Sequence, residues 1–224
     1  MRYLIAIVLT CLFLGVAIED MAAKGGLTPD HISRVRAVLD ARISPDGQHI
    51  AYTLSVPRRT FQEKDGPAWT ELHVVNRKGN SRPFVTGEVN VGAVRWTPDG
   101  KLISFLAKRG SDKVSSLYVI PVDGGEARRI FGHDTAIRSY AWSPDAKQLA
   151  FTATIEVSEK REKRRKQGFD QVVFEEDWSP VKLWLVAPLL NTRQTEEMPK
   201  PTMLDLSGSA STIEWSPQGD RLAV

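Results

Sequence analysis

One phrase recurs four times in this chain and constrains its fold more than any other feature. It reads Ser44-Pro45-Asp46-Gly47, Thr97-Pro98-Asp99-Gly100, Ser143-Pro144-Asp145-Ala146 and Ser216-Pro217-Gln218-Gly219. Proline presets φ at the first corner of a turn and glycine relaxes the next, so each copy encodes a tight reversal. Counting from the Ser or Thr, the sixth position holds Ile50, Ile103, Leu149 and Leu222, and the eighth holds Tyr52, Phe105, Phe151 and Val224. That is period two, the pattern of a strand with a buried face. The seventh position is always small (Ala51, Ser104, Ala150, Ala223), so the opposite face is expected to pack closely on a neighbouring layer. Large apolar residues, Ile43, Trp96, Trp142 and Trp215, stand immediately before each turn and imply a preceding strand. The unit is a β-hairpin.

Each hairpin is followed by a third run of β-formers, Leu72–Val75, Leu117–Ile120 and Leu183–Val186. A shorter fourth strand is expected at Pro83–Val85, Ala127–Phe131 and Thr202–Leu206. Four strands per unit is the make-up of a propeller blade. The expected fold is therefore all-β, an incomplete β-propeller over residues 41–224 with about three complete TolB-like or WD-like blades and the first hairpin of a fourth. The last copy stops at Val224 within a strand, so the chain reads as cut short.

The spacing between copies is 53, 46 and 73 residues. The long third interval contains extra chain between the second and third strands of its unit, an insertion around residues 158–180. Glu159 to Lys166 within it has six bases and two acids and so carries more than the whole of the chain's excess positive charge, leaving the remainder slightly negative. The formal net charge of +3 is thus a local matter, one solvated loop rather than a basic stripe, and no nucleic-acid partner is expected.

At the other end, Arg2 followed by the apolar run Tyr3 to Ile18 has the form of a secretory signal, with Gly15 and Ala17 as small residues near a cleavage point. Residues 1–17 are assigned to it and an uncleaved anchor is the alternative, the run being shorter than the roughly 20 residues of a spanning helix. The mature chain is expected to be exported, periplasmic or secreted, with no stable membrane span. Cys11, the only cysteine, lies in that run, so no disulfide supports the fold. Residues 18–40 form a lead-in, where Thr28-Pro29-Asp30 predicts the start of a short helix running to about Arg36.

Chemistry is conspicuously missing. No Gly-x-Ser-x-Gly elbow occurs, the nearest stretch being Ser207-Gly208-Ser209-Ala210-Ser211, and Asp123-Gly124-Gly125 is a turn, not a phosphate cradle. His31, His49, His73 and His133 are scattered without ligand spacing, so neither a metal nor any other cofactor is expected.

The stretch Val38-Leu39-Asp40-Ala41-Arg42-Ile43-Ser44-Pro45-Asp46-Gly47, the later Trp-Ser/Thr-Pro copies, and Val173 to Val186 with Asp177-Trp178 and Lys182-Leu183-Trp184-Leu185-Val186 together resemble the start of a prolyl oligopeptidase-family serine peptidase. Its nearest branch is the acylaminoacyl-peptidase and bacterial dipeptidyl-peptidase group. The resemblance implies a propeller that gates the access of peptide substrates to a C-terminal α/β-hydrolase domain. That domain and its Ser-Asp-His triad are not in this sequence, so no catalytic residue carries over and the chain by itself is expected to be inactive. Glu175 and Glu176 invite comparison with the paired glutamates that hold a substrate's free amino terminus in some dipeptidyl peptidases. A solvated acidic loop pairing with the nearby bases is the other reading. The rival function, since TolB-type propellers use the same hairpin, is a non-catalytic periplasmic propeller for protein–protein interaction.

Overall fold

The computed structural model describes residues 26–155, 159–169, 171, 179–188, 190 and 199–224. The chain divides into two compact units, Met1–Val35 and Arg36–Val224. Among the described residues of the first, a short helix, α1 (Pro29–Ser33), is closed by a capping box: the Thr28 hydroxyl accepts from the His31 amide and the His31 ring accepts from the Thr28 amide. Thr28 and Pro29 take the expected cap and first-turn places, but the helix ends at Ser33 rather than near Arg36. None of its residues is buried, and five residues without a packed face do not propagate further.

The second unit is a series of antiparallel sheets in chain order. The first sheet is β1 (Ala37–Ile43), β2 (His49–Val56), β3 (Trp69–Asn76) and β4 (Ser81–Val85); the second is β5 (Gly92–Trp96), β6 (Leu102–Ala107), β7 (Ser116–Pro121) and β8 (Arg128–Phe131). The third is β9 (Ile137–Trp142), β10 (Leu149–Thr154), β11 (Val181–Val186) and β12 (Thr202–Met203), and β13 (Glu214–Trp215) pairs with β14 (Leu222–Ala223) in the fourth. Within each four-stranded sheet, neighbours in sequence are neighbours in space. This is a β-propeller made of consecutive blades. The insertion contributes one helix, α2 (Glu159–Lys166), closed by Gly168 at φ 89°.

The four turns share one hydrogen-bond design. The pre-turn anchor always faces the sixth position across the ladder: Ile43 opposite Ile50, Trp96 opposite Ile103, Trp142 opposite Leu149 and Trp215 opposite Leu222. In the first copy the Ser44 hydroxyl donates to Asp46 Oδ1 at 2.5 Å and accepts from the His49 amide at 2.9 Å. Thr97 and Ser143 repeat the bond to Asp99 and Asp145 at 2.6 and 2.7 Å. The fourth copy has Gln218 where the others have Asp, and there Ser216 donates to Asp220 at 2.7 Å. A carboxylate two residues further on restores the bond.

Glycine at the third position after the Ser or Thr is required by the backbone: Gly47, Gly100 and Gly219 have φ of 67°, 70° and 74°. The third copy places Ala146 there at φ 57°. A left-handed conformation costs an L-residue about 1–2 kcal/mol, and glycine's extra freedom when unfolded returns about half of that. Ala146→Gly is therefore expected to stabilise the chain by about 0.5–1 kcal/mol, read as a rise in urea midpoint without a change in slope.

Both faces of the repeated strand are used. Between the first two sheets, Ala51, Leu72 and Val74 meet Ile103, Phe105 and Ile120; between the next two, Leu117, Val119 and Phe131 meet Tyr140, Leu149 and Phe151. Ala150 and Leu183 meet Ile213 and Leu222 in the same way. The small seventh position of each sheet thus faces the large sixth and eighth positions of the next. Ile50 in the first copy departs from the expected burial and is 38% exposed. Its face of the first sheet has no preceding blade in the described structure.

Candidate functional site

The repeated Ser/Thr and Asp residues are bound into the turns, which answers whether they could act as a nucleophile and base. Ser44, Thr97 and Ser143 are buried and hydrogen-bonded on both sides of the hydroxyl. The bond from the serine hydroxyl, then the amide two residues on, holds Asp46 and Asp145 below the usual carboxylate range. Partial burial pushes Asp99 up, but the Thr97 hydroxyl and Lys101 amide together outweigh it and its pKa is also lowered. Folded-state pKa values below the unfolded ones mean that these groups favour the fold above the carboxylate range and lose that contribution on acidification. They are structural anions.

Among the described residues no group of three or more His, Cys, Asp or Glu side chains comes together as a metal site. No described helix is long and apolar enough to cross a membrane. Glu175 and Glu176 lie outside the described residues.

A cavity of about 350 Å³ opens where the first strands of the four sheets end. In an antiparallel order that end also carries the β1–β2 type turns, while the β2–β3 connection lies at the opposite end. Each sheet contributes its last strand residues: Arg42 and Ile43, Arg95 and Trp96, Ala141 and Trp142, Glu214 and Trp215. The indoles are fixed across the blade boundaries. Trp96 Nε1 donates to the Arg42 carbonyl at 2.8 Å and Trp215 Nε1 to the Ala141 carbonyl at 3.1 Å. Trp142 Nε1 donates instead to Ser104 Oγ at 2.9 Å, and that hydroxyl passes the bond on to the Arg95 carbonyl at 3.0 Å. The buried Tyr140 hydroxyl also donates to Ser104, at 3.0 Å. Burial pushes the Tyr140 phenol well above its usual range, against the opposing pull of Ser104 and the positive charges of Arg95 and Arg42.

The sequence showed the tryptophans as apolar anchors but not the cavity they frame. The residues just before the four anchors Ile43, Trp96, Trp142 and Trp215, namely Arg42, Arg95, Ala141 and Glu214, share one repeat position and differ in charge. That variation at an otherwise regular position was the available signal.

A cavity framed by indoles and arginines does not identify a reaction, and the comparisons with known proteins supply the missing context. The chain is 30% identical over 149 residues to an uncharacterized peptidase, YuxL, of Bacillus subtilis, a match covering 65% of this chain and 22% of that protein. It superposes on the acylaminoacyl peptidase of Pyrococcus horikoshii with a TM-score of 0.58 at 16% identity, over 85% of this chain and 28% of that one. The propeller domain of the Trilobed protease from Pyrococcus furiosus matches 84% of this chain and 47% of that one, with a TM-score of 0.51 at 19% identity. The chain resembles the N-terminal propeller portion of prolyl oligopeptidase-family peptidases. No family model matches it. The chain spans about a fifth of the length of the curated relatives it matches. What it shares with them is the blade-forming part of a peptidase.

Proposed function

We propose that this chain is the propeller portion of an exported serine peptidase of oligopeptidase or dipeptidyl-peptidase type, and that it screens which peptides reach a C-terminal α/β-hydrolase domain. The observation that carries the reading is the joint similarity, in sequence to a bacterial peptidase and in fold to peptidase propellers, over most of residues 36–224. Export rests on the Arg2 and Tyr3–Ile18 pattern. The chain contributes walls and apertures, and the reacting groups belong to the hydrolase domain.

The purified chain is expected to show no hydrolysis of aminoacyl-p-nitroanilides and no labelling by a fluorophosphonate, the reagent that reports an activated serine. The polypeptide in which this chain precedes a hydrolase domain is expected to cleave the nitroanilide, and deletion of the propeller portion to open it to longer polypeptides. Hydrolysis by the chain alone, or an unchanged length preference after deletion, would overturn the reading.

A further inference from the structure

The cavity at the strand ends has a directional lining. Trp96, Trp142 and Trp215 have their only polar groups engaged by neighbouring sheets, so what they offer the cavity is aromatic carbon at fixed positions. On the side of the first two sheets stand two guanidinium groups. Arg42 pairs with Asp40 of its own strand at 3.2 Å and keeps half of its side chain exposed. Arg95 lies 5.9 Å from the Tyr140 ring centroid, and among the described residues no carboxylate lies within ion-pair distance of it. Both residues line the cavity, on the flank formed by the first two sheets. Across the cavity the fourth sheet supplies Glu214, exposed and likewise without an ion-pair partner among the described residues.

We propose that this cavity binds the carboxylate-bearing end of a peptide, with Arg95 and Arg42 holding the carboxylate and an aromatic or proline ring lying among the tryptophans. Guanidinium is the side chain best matched to a carboxylate, because its fork makes two parallel charge-assisted bonds. Indole walls reduce the water that would screen them and stack on flat rings at little cost in side-chain freedom. Glu214 repels a second anion and accepts an amide or ammonium from the rest of the ligand, which sets the direction of the peptide. A volume near the lower end of ligand pockets suits the last few residues of a chain rather than a folded partner. Binding here is separate from the proposed screening function and needs no hydrolase domain.

The test uses the full chain and the peptide Ala-Ala-Phe, followed by tryptophan fluorescence and by calorimetry. The free acid is expected to bind saturably, and its C-terminal amide to bind weaker by about tenfold or more, the loss of a charge-assisted pair. Ala-Asp-Phe-amide, which keeps the ring, separates the sources of the carboxylate: binding like the acid assigns a side-chain carboxylate as an equal ligand, and binding like the amide assigns the α-carboxylate. Arg95→Gln is expected to weaken the acid by about tenfold and leave the amide unchanged. Arg42→Gln, at an exposed position that leaves the fold intact, is expected to do the same in smaller measure. Arg138→Gln, at the start of β9 and away from the cavity, is the control and should change nothing. Equal affinity for acid and amide, no saturable binding, or acid binding indifferent to both Arg95→Gln and Arg42→Gln would overturn the proposal.

Discussion

Ser104→Ala is expected to destabilise the chain by about 3–5 kcal/mol, although alanine is what the other three repeats carry at that position. Ser104 is fully buried, and its hydroxyl is the meeting point of three groups: it accepts from Tyr140 Oη and Trp142 Nε1 and donates to the Arg95 carbonyl. Alanine would leave two buried donors without a partner and a carbonyl without its bond. Each such orphan costs about 1–3 kcal/mol, more than the mean worth of a bond that water can replace. The other repeats escape because the residue two before the anchor is apolar there, Val94 in the second and Ile213 in the fourth, and their indoles reach a main-chain carbonyl directly. Tyr140 in the third repeat and Ser104 in the second are therefore one paired exception, made across a blade boundary. Tyr140→Phe on its own is expected to cost about 1 kcal/mol, and combined with Ser104→Ala it should cost clearly less than the sum of the two. Urea unfolding of the four proteins, with slopes held equal, measures that coupling. An additive result would show that the hydroxyl does not join the two side chains.

This pair marks where the sequence stopped being readable. The hairpin, its register and the four-strand unit followed from turn chemistry and period two, because those are local rules. Pro-Asp-Gly sets the reversal, and the reversal places Trp96 opposite Ile103 with no help from the rest of the chain. Ser104 reads as one more small residue in a column of alanines, and only the neighbouring sheet gives its hydroxyl a meaning. The cavity is legible even less, since its lining is drawn from positions some fifty residues apart whose convergence is a property of the stacked sheets. The last strand of the third unit begins at Thr202, as the sequence predicts, but is regular only to Met203, where Trp184 and Leu185 pair with it; beyond it Leu204 keeps a backbone bond to Leu183 without continuing the strand.

The same distinction between local pattern and neighbouring sheet sets the contrast expected at the sixth repeat position. Ile103→Ala is expected to cost about 3–4 kcal/mol, within the range for a buried branched side chain whose cavity does not collapse. Ile103 is fully buried against the first sheet, among Leu72, Val74 and Phe105. Ile50 occupies the identical place in the repeat, opposite the anchor Ile43 and followed by the small Ala51, yet is 38% exposed. Ile50→Ala is expected to cost less, about 1–2 kcal/mol, since more than a third of its surface stays in water and no closed void is left. Denaturation midpoints of the two variants, at unchanged slope, make the comparison. Equal losses would mean that the exposed face of the first sheet is covered in solution. That outcome has its own physical use: in a polypeptide where another blade packs on that face, the cost of Ile50→Ala should rise toward that of Ile103→Ala, because burial comes from the neighbouring sheet and not from the repeat itself. The substitution thereby reports the packing partner of the first blade through a stability measurement alone.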